Sequence, residues 1–100
     1  MTANDAKTAL IAVLKEIQAR SFLPCPELTG SDIPPDVLEK FDSTVWPVAT
    51  TLVAQKLGVV IPNDVHIFGG EKGSPLLNID QASALIVERH EAKVPLQGVA

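Results

Sequence analysis

The sequence predicts an all-α domain, a four-helix bundle with a long first loop and a short third helix. Three observations carry that expectation. Apolar residues recur at helical spacing in three separate stretches, around Leu10–Ile17, Val45–Leu57 and Ala82–Ile86. No stretch alternates apolar and polar residues for long enough to make a strand of its own. Pro24, Pro26, Gly30, Pro34 and Pro35 keep the span from Ser21 to Pro35 out of regular structure, because proline fixes φ and lacks an amide donor. One hundred residues make a single domain. Its core is expected over about residues 5–91, with a frayed tail over 92–100.

The first helix is expected to start at Asn4 or Asp5, either of which can cap it, and to reach about Arg20. Leu10, Val13, Leu14 and Ile17 give it one face to bury, while Lys7, Lys15, Glu16 and Gln18 are expected to stay solvated. At the end of the long loop, Pro34-Pro35 followed by Asp36-Val37-Leu38-Glu39 reads as a single helical turn, with Val37, Leu38 and Phe41 expected to point inward. The second helix is expected over Thr44–Leu57, with Val45, Val48, Ala49, Leu52, Val53 and Leu57 as its apolar stripe and Gly58 as its stop. Pro47 is tolerated only in a first turn, where amides have no intrahelical acceptor, so the helix should begin at Ser43 or Thr44. That start would set the Ser43 hydroxyl at the positive end of the helix dipole.

Val59-Val60-Ile61 is too short to carry a sheet alone, and Asp64–Phe68 is expected to form the short third helix. Gly69 to Pro75 reads as a flexible loop from its composition. Asn78 and Gln81 have capping-box spacing and should open the last helix, with Ala82, Leu85, Ile86 and the Arg89 stem on its inner face.

Composition narrows the function. Apolar residues make up 46% of the chain, enough to build a core, but three Phe, one Trp and no Tyr offer few platforms for stacking bases. A net charge of −4 argues against a phosphate backbone as partner, so no nucleic-acid role is expected. The lone Cys25, between Pro24 and Pro26, excludes an internal disulfide and a cysteine zinc cluster, and reads as a small thiol in a turn. The start, Thr2-Ala3-Asn4-Asp5, has no basic region or apolar run of a signal peptide, and no segment is apolar enough to span a membrane. A cytoplasmic monomer is the expectation.

Catalytic patterns are weak. Gly69-Gly70-Glu71-Lys72-Gly73-Ser74 lacks the order of a phosphate-binding loop, and Pro75 follows where a helix should start. His66 and His90 have no second ligand at helical spacing, so no metal site is expected. Ser43 stands in no Gly-x-Ser-x-Gly elbow and has no paired base nearby in sequence, which argues against a hydrolase.

Ser43 acquires meaning from its surroundings. It sits in Phe41-Asp42-Ser43-Thr44, with Leu57-Gly58-Val59 and then Ile61-Pro62 downstream, and Leu77-Asn78-Ile79 opens the last helix. In order and spacing these segments, from about Leu10 to Arg89, resemble the acyl carrier protein family. The resemblance implies a carrier fold with 4′-phosphopantetheine attached covalently to Ser43. It implies that Asp42 orients the serine for the modifying enzyme or caps the helix. Thr44, Trp46 and Pro47 would be read by partners. Val48, Leu52, Ile61, Ile67 and Ile79 would line an acyl slot, or serve as ordinary core residues. The implied partners are a phosphopantetheinyl transferase and the enzymes that load and transfer the acyl group.

The chain departs from the family pattern in ways that bear on those partners. Thr44 stands where leucine usually follows the serine, and no Asp or Glu occurs between Ser43 and Gly58, where relatives carry acids read by basic enzyme surfaces. Lys56 is the only charge there, and Trp46 is expected either exposed near the serine or half-buried as a packing residue. These departures point to a specialised lipid or secondary-metabolite pathway. The alternative is a carrier-fold protein that is not modified and acts as a protein-interaction module through the Trp46 region. A third reading is an unrelated helical domain in which Asp42-Ser43 is only a cap.

Overall fold

The structure, a computed structural model, describes residues 1–92, and the segment 93–100 lies outside the described residues. Four α-helices and a two-residue antiparallel ladder make up its regular structure: α1 (Ala3–Arg20), α2 (Pro34–Val37), α3 (Trp46–Leu57), β1 (Val59–Val60), α4 (Ile79–Arg89) and β2 (Glu91–Ala92). A single 3₁₀ turn, Glu71–Gly73, precedes α4.

α1 begins earlier than expected. Thr2, rather than Asn4 or Asp5, is its N-cap: the Asp5 amide donates to the Thr2 hydroxyl at 3.1 Å and the Thr2 amide to the Asp5 carboxylate at 3.0 Å. This reciprocal pair satisfies two amides that the helix itself leaves without acceptors. Ala6, Ala9, Leu10, Val13, Leu14 and Gln18 are buried, a stripe wide enough for α1 to pack on both α3 and α4. The helix closes in a Schellman arrangement, Leu23 N–H to Gln18 C=O at 2.8 Å and Phe22 N–H to Ala19 C=O at 3.1 Å. Phe22 takes the left-handed position that glycine usually fills, at φ 56°, and its ring is 96% exposed.

The proline-rich connection is ordered by anchors rather than by helix. Leu28, Leu38 and Phe41 are buried in the core, and the buried Gln18 side chain donates to the Glu39 carbonyl at 3.1 Å. The same connection finishes the start of α4. Its first two amides, Ile79 and Asp80, donate to the carbonyls of Asp32 and Gly30 at 2.9 Å each. The third, Gln81, donates to the Asn78 side chain at 2.7 Å, completing the capping box expected from the sequence.

Three further expectations are corrected. Asp64–Phe68 forms no helix: Val65, Ile67 and Phe68 are buried while Asp64 and His66 face out, and only isolated turns link the backbone. Five residues with two β-branched members, halted by Gly69-Gly70, do not repay the cost of nucleating a helix. The Val59-Val60 pair does enter a ladder, matched to Ala92 and Glu91, so the domain is not wholly α-helical. Ala92, assigned to the frayed tail, is therefore paired with Val59, whereas the remainder of that tail lies outside the described residues.

The glycine loop is closed rather than free. Gly69 and Leu76 form a bridge, with Leu77 N–H to Phe68 C=O at 3.0 Å and Gly70 N–H to Pro75 C=O at 3.2 Å. Gly69 and Gly70 both have φ of 76°, which glycine tolerates without steric cost.

Candidate functional site

Ser43 stands in the turn between the buried ring of Phe41 and the first residue of α3. α3 starts at Trp46, with Val45 at the N-cap and Pro47 in the first turn, two to three residues later than the sequence suggested. The delay follows from Asp42. Its carboxylate accepts hydrogen bonds from the Thr44 amide (3.0 Å) and the Thr44 hydroxyl, and its carbonyl accepts the Val45 amide at 3.0 Å. These bonds fix a separate Asx turn ahead of the helix. Asp42 thus caps that turn and not α3, whose N-terminus has no side-chain cap. The Thr44 hydroxyl, then the Thr44 amide, hold the Asp42 carboxyl below its ordinary range.

Ser43 is exposed and lies at the edge of a cleft of about 760 Å³. One wall is α3, through Trp46, Thr50 and Ala54, which share a face by their spacing of four residues. The facing wall is the segment from Gly58 to Glu71, with Ile61, Ile67 and Phe68 as its larger apolar side chains. Trp46 is half-buried: its ring packs against Phe68, whose ring in turn meets Phe41 edge-on at 5.1 Å. The indole N–H donates to the Phe41 carbonyl at 3.4 Å.

Of the five residues assigned to an acyl slot, Ile61 and Ile67 line this cleft. Val48, Leu52 and Ile79 do not. Val48 is 55% exposed on the outer surface of α3, Leu52 is half-buried against the core, and Ile79 is fully buried at the start of α4. Thr50 and Ala54 were missed because neither reads as a large apolar side chain, although their spacing from Trp46 marks the face. The Thr50 hydroxyl donates to the Trp46 carbonyl and the Thr51 hydroxyl to the Pro47 carbonyl, each at 2.9 Å. His66 and Glu71 flank the cleft as a pair 3.5 Å apart.

Pro47 and Thr44, assigned to partner recognition, are both exposed beside Ser43. No group of three or more metal-ligating side chains occurs among the described residues, and no helix there is long and apolar enough to cross a membrane. Comparison with protein-family models, curated proteins and solved structures found no match.

Proposed function

We propose that the protein is an acyl carrier, modified on Ser43 with 4′-phosphopantetheine and serving a specialised acyl-transfer pathway. The observation that carries this reading is the exposed Ser43 hydroxyl at the edge of a largely apolar cleft, in the turn leading into α3. The Phe41-Asp42-Ser43 segment and the interval to Ile61-Pro62 support it, as does the order of long α1, long connection, α3 and α4.

The residues present suit the group. The first turn of α3 carries no side-chain cap, and an anion at that end of the helix is favoured by the helix dipole. Trp46, Ile61, Ile67 and Phe68 offer apolar surface within reach of the same serine. In a transferase that supplies Mg²⁺, the Ser43 oxygen bonds to the phosphorus bearing the pantetheine. The pyrophosphate P–O bond of coenzyme A breaks, the nucleotide portion leaves, and the hydroxyl proton passes to the transferase. Once bound, the arm supplies a terminal thiol that holds an acyl group as a thioester. Tethering raises the effective concentration of that group for successive enzymes, without catalysis by the carrier itself.

Intact mass tests the reading. Incubation with coenzyme A, Mg²⁺ and a phosphopantetheinyl transferase should add one phosphopantetheine to the wild type and none to Ser43→Ala. An unchanged wild-type mass, with the source organism's own transferase also tried, favours the unmodified interaction module instead.

A further inference from the structure

We propose that Gln18 is a positioning residue for Ser43: its side-chain amide fixes the stretch of chain that presents the serine. The inference rests on the carrier reading for what is attached to Ser43, though not for the contact itself. Leu10, Leu14 and Gln18 follow one another at intervals of four on α1, so Gln18 takes the next place on the buried stripe. The sequence places it among the solvated residues, yet it is only 1% exposed. An apolar side chain at that place would need no partner, whereas a buried amide must be hydrogen-bonded. The Gln18 Nε2 donates to the Glu39 carbonyl at 3.1 Å, across a separation of 21 residues.

Little else holds that stretch. Among the described residues, Glu39, Lys40 and Phe41 make no main-chain to main-chain hydrogen bond. Two of their carbonyls are tied to the rest of the protein, both by side chains: that of Glu39 by Gln18, and that of Phe41 by the Trp46 indole. Between them, Lys40 stands at φ 58°, a left-handed conformation that a residue with a Cβ keeps only where its surroundings enforce it. Beyond this kink the Phe41 ring is buried, and Asp42 and Ser43 are exposed. Gln18 pins the chain just before the kink, and burial of Phe41 pins it just after. The end of α1 that delivers the amide is itself closed, since the Gln18 main-chain carbonyl accepts the Leu23 amide at 2.8 Å.

Transfer of the arm requires the Ser43 oxygen to be held in line with the phosphorus, and a misplacement of about 1 Å costs up to about a hundredfold in rate. The Asx turn at Asp42 keeps its own shape through local bonds, but those bonds do not fix its place relative to the core. Gln18 supplies that place, acting only through the Glu39 carbonyl.

The test pairs hydrogen exchange of the unmodified protein, read by NMR, with phosphopantetheine transfer from coenzyme A by the source organism's transferase. Exchange is read at the Thr44 and Val45 amides, which donate to Asp42, relative to amides at the centre of α4, which report global opening. Gln18→Met and Gln18→Leu both remove the donor and differ in shape, so an effect they share belongs to the hydrogen bond. Leu14→Met, one turn earlier on the same stripe, is the control for a disturbed core. Both Gln18 variants should speed exchange at Thr44 and Val45 by about tenfold over the α4 reference and lower kcat by about tenfold, with KM changed by less than about twofold. Leu14→Met should match the wild type in both readouts. In a wild type that accepts the arm, either readout unmoved by the Gln18 variants overturns the inference. Equal effects from Leu14→Met overturn it too, because Gln18 would then only fill the core. A wild type that accepts no arm overturns the carrier reading instead. Exchange then decides on Gln18 alone: a selective rise at Thr44 and Val45 upholds the contact as what fixes the turn, and no rise rules it out.

Discussion

The rings of Trp46 and Phe68 stand 6.0 Å apart between centroids, tilted by 41°, joining the first turn of α3 to the facing wall of the cleft. This contact, with the indole N–H bonded to the Phe41 carbonyl, links the serine turn to the hydrophobic core. Truncating Trp46 to alanine should cost about 2 kcal/mol, below the usual range for fully buried tryptophan because the ring is half-buried. Trp46→Phe, which keeps an aromatic contact, should lose less than about 1 kcal/mol. Urea unfolding of the two variants distinguishes them.

Ser43 behaves differently. Its side chain is exposed and has no hydrogen-bond partner among the described residues, so Ser43→Ala should change stability by no more than about 0.5 kcal/mol. Loading with phosphopantetheine should nevertheless vanish. Thermal denaturation and intact mass on the same preparation separate stability from modification.

The two glycines at the ends of the 69–73 loop make a sharper contrast. A Cβ on Gly69 would lie 2.5 Å from the Pro75 carbonyl oxygen, at a φ of 76°. Gly73 has φ of 82° but open space around it. Gly69→Ala should therefore destabilise by about 3 kcal/mol, combining backbone strain with a clash against main chain, and Gly73→Ala by about 1 kcal/mol from strain alone. Equal losses in chemical denaturation would mean that the bridge between Gly69 and Leu76 is not what closes the loop.

Asp42 carries a pH signature. Its native value lies below the unfolded value of about 3.9, so its stabilising contribution is complete above that pH and disappears as the pH falls through the native value. Carboxyl NMR titration should place the Asp42 midpoint below the ordinary aspartate range. Thr44→Val should raise that midpoint only part of the way back, because the hydroxyl is removed while the Thr44 amide remains. A midpoint unmoved by Thr44→Val would rule out the hydroxyl as the main cause.

The sequence made the long helices legible where periodicity and end signals coincide. Asn78 with Gln81 announces α4, and Gly58 in its left-handed conformation ends α3, both by local chemistry. Thr2 was hidden because either Asn4 or Asp5 offers an equally good cap, and only the structure shows Asp5 reaching back as the third helical residue. The β1–β2 ladder depends on Glu91 and Ala92 meeting Val59 and Val60 across the chain, a pairing that no local pattern encodes. At the cleft, Ser43, Ile61 and Ile67, singled out through the resemblance, do fall on its lining. The faces of α3 were misread because apolar identity was followed instead of helical phase: Val48 is exposed, and Thr50 lines the cleft.

The paired threonines on α3 bear on water. With the Thr50 and Thr51 hydroxyl protons already donated to main-chain carbonyls one turn back, neither side chain must give up a hydrogen bond that it donates to solvent when something covers it. Leaving a buried hydroxyl without a partner is what makes such residues expensive to dehydrate. A helix that reads as half-polar in its letters thus sheds its hydration more like a run of alanines and valines.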